Sequence, residues 1–170
     1  MEDKYFEIVA RDTDIVMQVC TAGNLRTTFL CAEMARKHGA FERFLIATDT
    51  PTGSGVMPLG LIYTISQIAS LTSFEVPELI AAATGNVAKC YGLNSGFLKP
   101  SFDADIVLID APLGGTKVDA LAALKNGDPC AIGAVITAGV PRFVGRSNNT
   151  PPPIREIKVL RSNVINVFQG

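Results

Sequence analysis

A chain of 170 residues has room for one domain or for pieces of two. With 15 Lys and Arg against 16 Asp and Glu the net charge is −1, which gives neither nucleic acid nor an anionic membrane an electrostatic hold. At 48% hydrophobic and 18% charged residues the chain is greasier than an average soluble domain, so it buries a large core or carries surfaces that something else covers.

In chain order, residues 1–13, with Lys4, Arg11 and Asp12, read as a loop or partial helix. The polar start Met1-Glu2-Asp3-Lys4 does not read as a secretory leader. Asp14 to Cys20 reads as a buried strand, and Thr21-Ala22-Gly23-Asn24 as a turn whose Asn24 caps the following helix. That helix runs to about His38. Arg36, Lys37 and His38 suit its negative end, and Gly39 supplies a left-handed cap. His38, the only histidine, reads as a solvated cap residue rather than a ligand. A strand from Phe44 to Thr48 completes a strand–helix–strand unit, so the two strands are expected to be parallel neighbours.

No charge occurs between Thr50 and Phe74. The continuous helical part, Leu59 to Leu71, reaches only about 20 Å where a bilayer needs roughly 30 Å, so it reads as a buried helix. Further helices are expected from Pro77 to about Thr84 and from Asn86 to Tyr91. Beyond Gly92 the pattern changes to a strand over Asp105–Asp110, a helix over Lys117–Asn126, and a hairpin of Ile132–Thr137 with Val140–Val144 around Ala138-Gly139. From Arg146 on, Asn148 to Pro153 signals an irregular tail. The widely spaced Cys20, Cys31, Cys90 and Cys130 form no CxxC pair and read as small buried hydrophobes of a reducing cytoplasm.

The candidate site is Asp49, where the strand ends and the loop Thr50-Pro51-Thr52-Gly53-Ser54-Gly55 opens. Loops at the carboxyl ends of parallel barrel strands build active sites. A carboxylate there is a candidate metal ligand, or a base that takes a proton from water and returns it to a leaving nitrogen. An Asp that merely caps its turn fits the same residues, and both readings stay open. Thr50, Thr52, Gly53, Ser54 and Gly55 form a candidate substrate-facing loop. It lacks the Gly-Lys-Ser/Thr ending of a phosphate loop. Asn24 and Cys20 close the preceding strand at the same face and are candidate pocket-lining residues. No His/Cys cluster exists from which this chain alone could assemble a three-ligand zinc site.

Three stretches carry a family resemblance. Gly96 to Asp110 is similar to the Gly-x-Ile-x-Pro-Gly-x-x-Ala-Asp-Leu-Val-x-x-Asp signature of the amidohydrolase superfamily. Ala83-Thr84-Gly85-Asn86-Val87-Ala88-Lys89-Cys90-Tyr91-Gly92-Leu93 resembles that family's Thr-x-Asn helix, and Asp49 with its Gly-rich loop precedes both in the right order. Asp49-x-Pro51-x-Gly53-x-Gly55, Pro58-Leu59-Gly60 and Gln67 to Ser70 are similar to the branch that hydrolyses cyclic amides, as are Pro112-Leu113-Gly114 and Asn149 to Pro152. Ser101 stands where glycine is usual, and Lys89 where alanine is common.

The resemblance implies a (β/α)8 TIM barrel with one or two divalent ions, usually zinc, hydrolysing C–N bonds, and it makes Asp49 the carboxylate after the last barrel strand. The family's metal-binding histidines have no counterpart here and are expected upstream of Met1. The chain is therefore expected to be the carboxyl-terminal portion of such an enzyme. Residues 1–93 would hold barrel strands 7–8 with their helices, 94–146 part of the small β-sandwich domain, and 147–170 an irregular tail. It is expected to bind no metal tightly and to be inactive alone. The alternatives are half of a split enzyme needing a complementary N-terminal barrel chain, or a non-catalytic interaction module. A cyclic amide is the expected small-molecule substrate of the complete enzyme, homo-oligomers a further expected partnership.

Overall fold

The protein is described by a computed structural model covering residues 3–20, 23–50, 56–145 and 147–159. A first helix, α1 (Asp3–Asp12), leads into strand β1 (Met17–Cys20), helix α2 (Leu25–Lys37), a single 3-10 turn (Phe41–Arg43) and strand β2 (Phe44–Ala47). Three helices follow: α3 (Gly60–Leu71), α4 (Val76–Ala83) and α5 (Gly85–Tyr91). Strand β3 (Ile106–Asp110), helix α6 (Ala120–Lys125) and the strands β4 (Ala131–Thr137) and β5 (Val140–Val144) complete the order.

Local chemistry fixes the ends of α2. Asn24 sits in an extended conformation and its side chain accepts from the amide of Thr27 at 3.2 Å. At the other end Gly39 adopts φ +69°. The amide of Ala40 then donates to the carbonyl of Ala35 (2.7 Å) and that of Gly39 to Arg36 (3.2 Å), a Schellman closure. Helix α4 starts with the amide of Glu75 donating to the Glu78 carboxylate at 2.8 Å.

The sheets are separate. β1 and β2 pair in parallel, Met17 opposite Phe44 and Cys20 opposite Ala47, while β3, β4 and β5 form an antiparallel sheet in that order. One apolar cluster joins them. Phe44, Ile46, Ile68, Phe74 and Leu79 pack with Leu124 and Cys130, and Ile109 of β3 lies against the same cluster. Phe41 stacks between Phe44 and Phe74, both at 5.4 Å between ring centroids. Across the junction, the Ser66 hydroxyl donates to the Leu124 carbonyl (3.2 Å) and the Lys125 ammonium to the Phe74 carbonyl (2.6 Å).

Four expectations are corrected. Residues 3–12 form a full helix, because Phe6, Val9 and Ala10 turn one face onto the core while the charges face out. The first strand is shorter than Asp14–Cys20: Ile15 and Val16 are exposed, and only Met17 and Val19 are buried within β1. His38 is not solvated; its side chain is 15% exposed and its Nε2 lies 3.1 Å from the Glu7 carboxylate. Cys90 is exposed on α5 rather than buried, whereas burial raises the thiols of Cys31 and Cys130 to about 11.

Residues 147–159 contain no helix or strand beyond a bridge between Pro112 and Pro153, yet they are held. The Leu113 amide donates to Pro152 and the Ile154 amide to Ala111. Asp110 accepts from the Ala111 amide, from the Arg155 amide and from the Arg155 guanidinium. Ser101, in place of the usual glycine, takes φ +72°, a left-handed backbone that explains why glycine is the common residue there.

Candidate active site at the carboxyl ends of the parallel strands

Because β1 and β2 run parallel and in register, the chain leaves both strands at the same end of the sheet. Cys20 ends β1 there, and Asp49 follows the last residue of β2 by two positions. The three residues Phe44, Leu45 and Ile46 that carry the chain to this point are almost fully buried, so the strand under Asp49 is rigidly seated while Asp49 itself is exposed. Its backbone lies at φ +57°. Asp enters this left-handed region more readily than most residues, and non-glycine strain of this kind gathers at functional positions. Among the described residues, no donor bonds its carboxylate.

The other candidates divide. The Asn24 side chain is committed to the Thr27 amide as a helix cap, which leaves its amide group as the part available to a pocket. Thr50 is exposed and its amide donates to the Thr48 hydroxyl at 3.3 Å. Thr52, Gly53, Ser54 and Gly55 lie outside the described residues. Cys20 is partly buried, with the amide of Gly23 donating to its carbonyl at 3.0 Å.

One residue that positions the site escaped the sequence reading. Asn86, 7% exposed, donates through its side-chain amide to the carbonyls of Phe41 (2.8 Å) and Phe44 (3.1 Å). It ties α5 to the start of β2 and so sets the line of the strand that ends at Asp49. The Thr84-Gly85-Asn86 motif was visible, but its acceptors lie more than forty residues away in the chain.

A divalent ion needs at least three protein ligands in a typical site. Among the described residues no group of three or more His, Cys, Asp or Glu side chains could hold one. Asp49 brings a single carboxylate, and His38 is engaged with Glu7 at the carboxyl end of α2. By themselves these residues do not fit a metal centre. No helix among them is long and apolar enough to cross a membrane.

Comparisons with known proteins bear on this geometry. The chain is 36% identical to enamidase of Eubacterium barkeri over 149 residues, 88% of this chain and 38% of that protein. It is 31% identical over 122 residues to 5-methylthioadenosine/S-adenosylhomocysteine deaminase 1 of Archaeoglobus fulgidus, 65% of this chain and 28% of that one. The crystal structure of enamidase, described as a member of the amidohydrolase superfamily, superposes with a TM-score of 0.89 at 32% identity, over 94% of this chain and 41% of the enamidase chain. A β-aspartyl dipeptidase from Fervidobacterium islandicum AW-1 shares the fold alone, with a TM-score of 0.52 at 19% identity. The chain thus spans about two-fifths of the length of the enamidase it matches. The model of the amidohydrolase family matches residues 4–142, and the chain belongs to that family.

Proposed function

We propose that this chain is the carboxyl-terminal portion of a hydrolase that opens a C–N bond of a cyclic amide, with Asp49 as its general base and acid. In this reading residues 1–93 supply the last two strand–helix units of a TIM barrel, 94–146 part of a small β-sandwich domain, and 147–170 its tail. The observation that carries it is the position of Asp49, exposed and left-handed at the carboxyl end of a buried parallel strand, in a chain superposing on enamidase over 94% of its length.

The chemistry assigned to Asp49 balances in protons. The carboxylate takes a proton from water as the water oxygen bonds the amide carbon. It then gives that proton to the nitrogen as the C–N bond breaks, leaving a carboxyl group and an amine. The loop from Thr50 to Gly55 and Asn24 are assigned to the substrate. Amidohydrolases generally use a divalent metal, zinc in this reading, to which Asp49 would contribute one ligand while the others come from outside the described residues. Activity accordingly needs more than this chain, whether from further segments of the same protein or from a complementary N-terminal barrel chain, and the complete unit is expected to form homo-oligomers. Four free thiols favour the cytoplasm.

The test is co-expression of the chain with the portion of Eubacterium barkeri enamidase that it does not match, assayed on cyclic amides. Hydrolysis is expected only with both parts. Asp49→Asn should reduce it by about 10²–10⁴-fold, the usual worth of a general acid–base group. Hydrolysis by the chain alone, or undiminished turnover with Asp49→Asn, defeats the assignment. Stoichiometric, sub-micromolar zinc binding by the isolated chain defeats the part that places the other metal ligands elsewhere.

A further inference from the structure

Asp49 stands where β2 gives way to a loop, and a chain that bends sharply is commonly held there by a local hydrogen bond. An Asp in such a place often makes that bond itself, its carboxylate accepting from the backbone amide two residues on. Here the residue two positions on is Pro51, and proline has no N–H to give. The bond is made one residue earlier instead. The amide of Thr50 donates to the Thr48 hydroxyl at 3.3 Å, with Asp49 between the two.

This arrangement does two things. Successive residues of a strand face opposite ways, and a φ of +57° takes Asp49 out of that alternation. A left-handed residue other than glycine persists only where its surroundings hold it. The hydroxyl–amide bond clamps the residues on either side of it. Thr48 is half-buried and directly follows Ala47, the last residue of β2, while Asp49 and Thr50 are exposed, so the bond ties the exposed bend to the seated strand. The second effect is on the carboxylate. Folded back onto its own backbone it would face the chain; with Thr48 as acceptor it is left to face a substrate.

We propose that Thr48 is a positioning residue for the reaction: its hydroxyl holds the left-handed backbone of Asp49 and spares the Asp49 carboxylate for the proton it takes and returns. The inference rests on the reading of Asp49 as general base and acid, and Thr48 itself touches neither substrate nor proton. Serine carries the same acceptor. Valine has the outline and β-branch of threonine without it.

The test uses the chain together with the unmatched portion of Eubacterium barkeri enamidase and compares Thr48→Val, Thr48→Ser and Asp49→Asn. Thr48→Val should lower kcat on a cyclic amide by as much as about 10²-fold, the cost of an ångström-scale misplacement, with KM nearly unchanged. Thr48→Ser should restore it. A Thr48→Val kcat equal to the parent's overturns the proposal, as does a loss confined to KM or one that Thr48→Ser leaves in place. Asp49→Asn separates the two claims. Full turnover there sinks the assignment of Asp49, whereas low turnover there beside an undiminished Thr48→Val sinks the role of Thr48 alone. The full chain by itself gives a second readout that needs no activity, even where the assembly is inactive. By NMR the Thr50 amide should exchange about tenfold or more slowly than in an unstructured peptide. It should stay slow in Thr48→Ser and reach the peptide rate in Thr48→Val. Peptide-rate exchange in the parent chain, or an amide that stays slow in Thr48→Val, overturns the proposal.

Discussion

At the scale of single residues, Asp110 shows how a buried charge is made tolerable. Its carboxylate, 10% exposed, accepts from the Ala111 amide at 2.8 Å, the Arg155 amide at 3.0 Å and the Arg155 guanidinium. These contacts, the Arg155 guanidinium first among them, hold its pKa down at about 2. A carboxyl group that is more acidic when folded than unfolded stabilises the fold above about pH 4, its unfolded range. That contribution is lost as the pH falls toward 2. Asp110→Asn should therefore cost roughly 1–3 kcal/mol at pH 7, the worth of hydrogen bonds to a charged group. The gap between variant and parent should close near pH 2. Urea midpoints at the two pH values measure both, and a gap of equal size at each would show that the charge contributes nothing.

At the scale of elements, β2 is the part on which the candidate site depends, and Asn86 is its anchor. Asn86→Ala leaves the Phe41 and Phe44 carbonyls without their donor, for a cost of roughly 1–3 kcal/mol. Exchange of the β2 amides should quicken more than that of β4, since the lost bonds hold the strand's own start. Equal quickening in both strands would reduce Asn86 to an ordinary core residue. What the sequence revealed follows the range of the signals. Asn24 and Gly39 bound α2 because caps act within a few residues, and the strand ending before Asp49 is legible because apolar run and Gly-rich loop adjoin. The first helix was obscured by Lys4, Arg11 and Asp12, whose outward face only the packed structure defines. The docking of residues 150–155 depends on Asp110 and Arg155, 45 residues apart, and the anchoring by Asn86 on partners just as distant. Neither leaves a local pattern.

At the scale of the whole molecule, the decisive feature is that the core ignores the change of sequence character near residue 93. Leu124 of α6, 2% exposed, belongs to the same cluster as Phe44 of β2 and Ile68 of α3. The Ser66–Leu124 and Lys125–Phe74 hydrogen bonds cross the same junction. The proposed division into barrel and small-domain parts follows the sequence pattern, then, while one apolar cluster includes elements of both. Small domains with one continuous core unfold cooperatively, so a cavity made on one side should be felt on the other. Leu124→Ala removes most of a buried side chain at a cost of about 2–5 kcal/mol. If the core acts as one, the slowest-exchanging amides of β2 and of β4 lose protection by the same factor, because both open only when the whole cluster does. If β4 alone loses protection, the junction is a docked interface between two units. The edges of β1, β2 and β3 left unpaired among the described residues would then have to be explained separately for each.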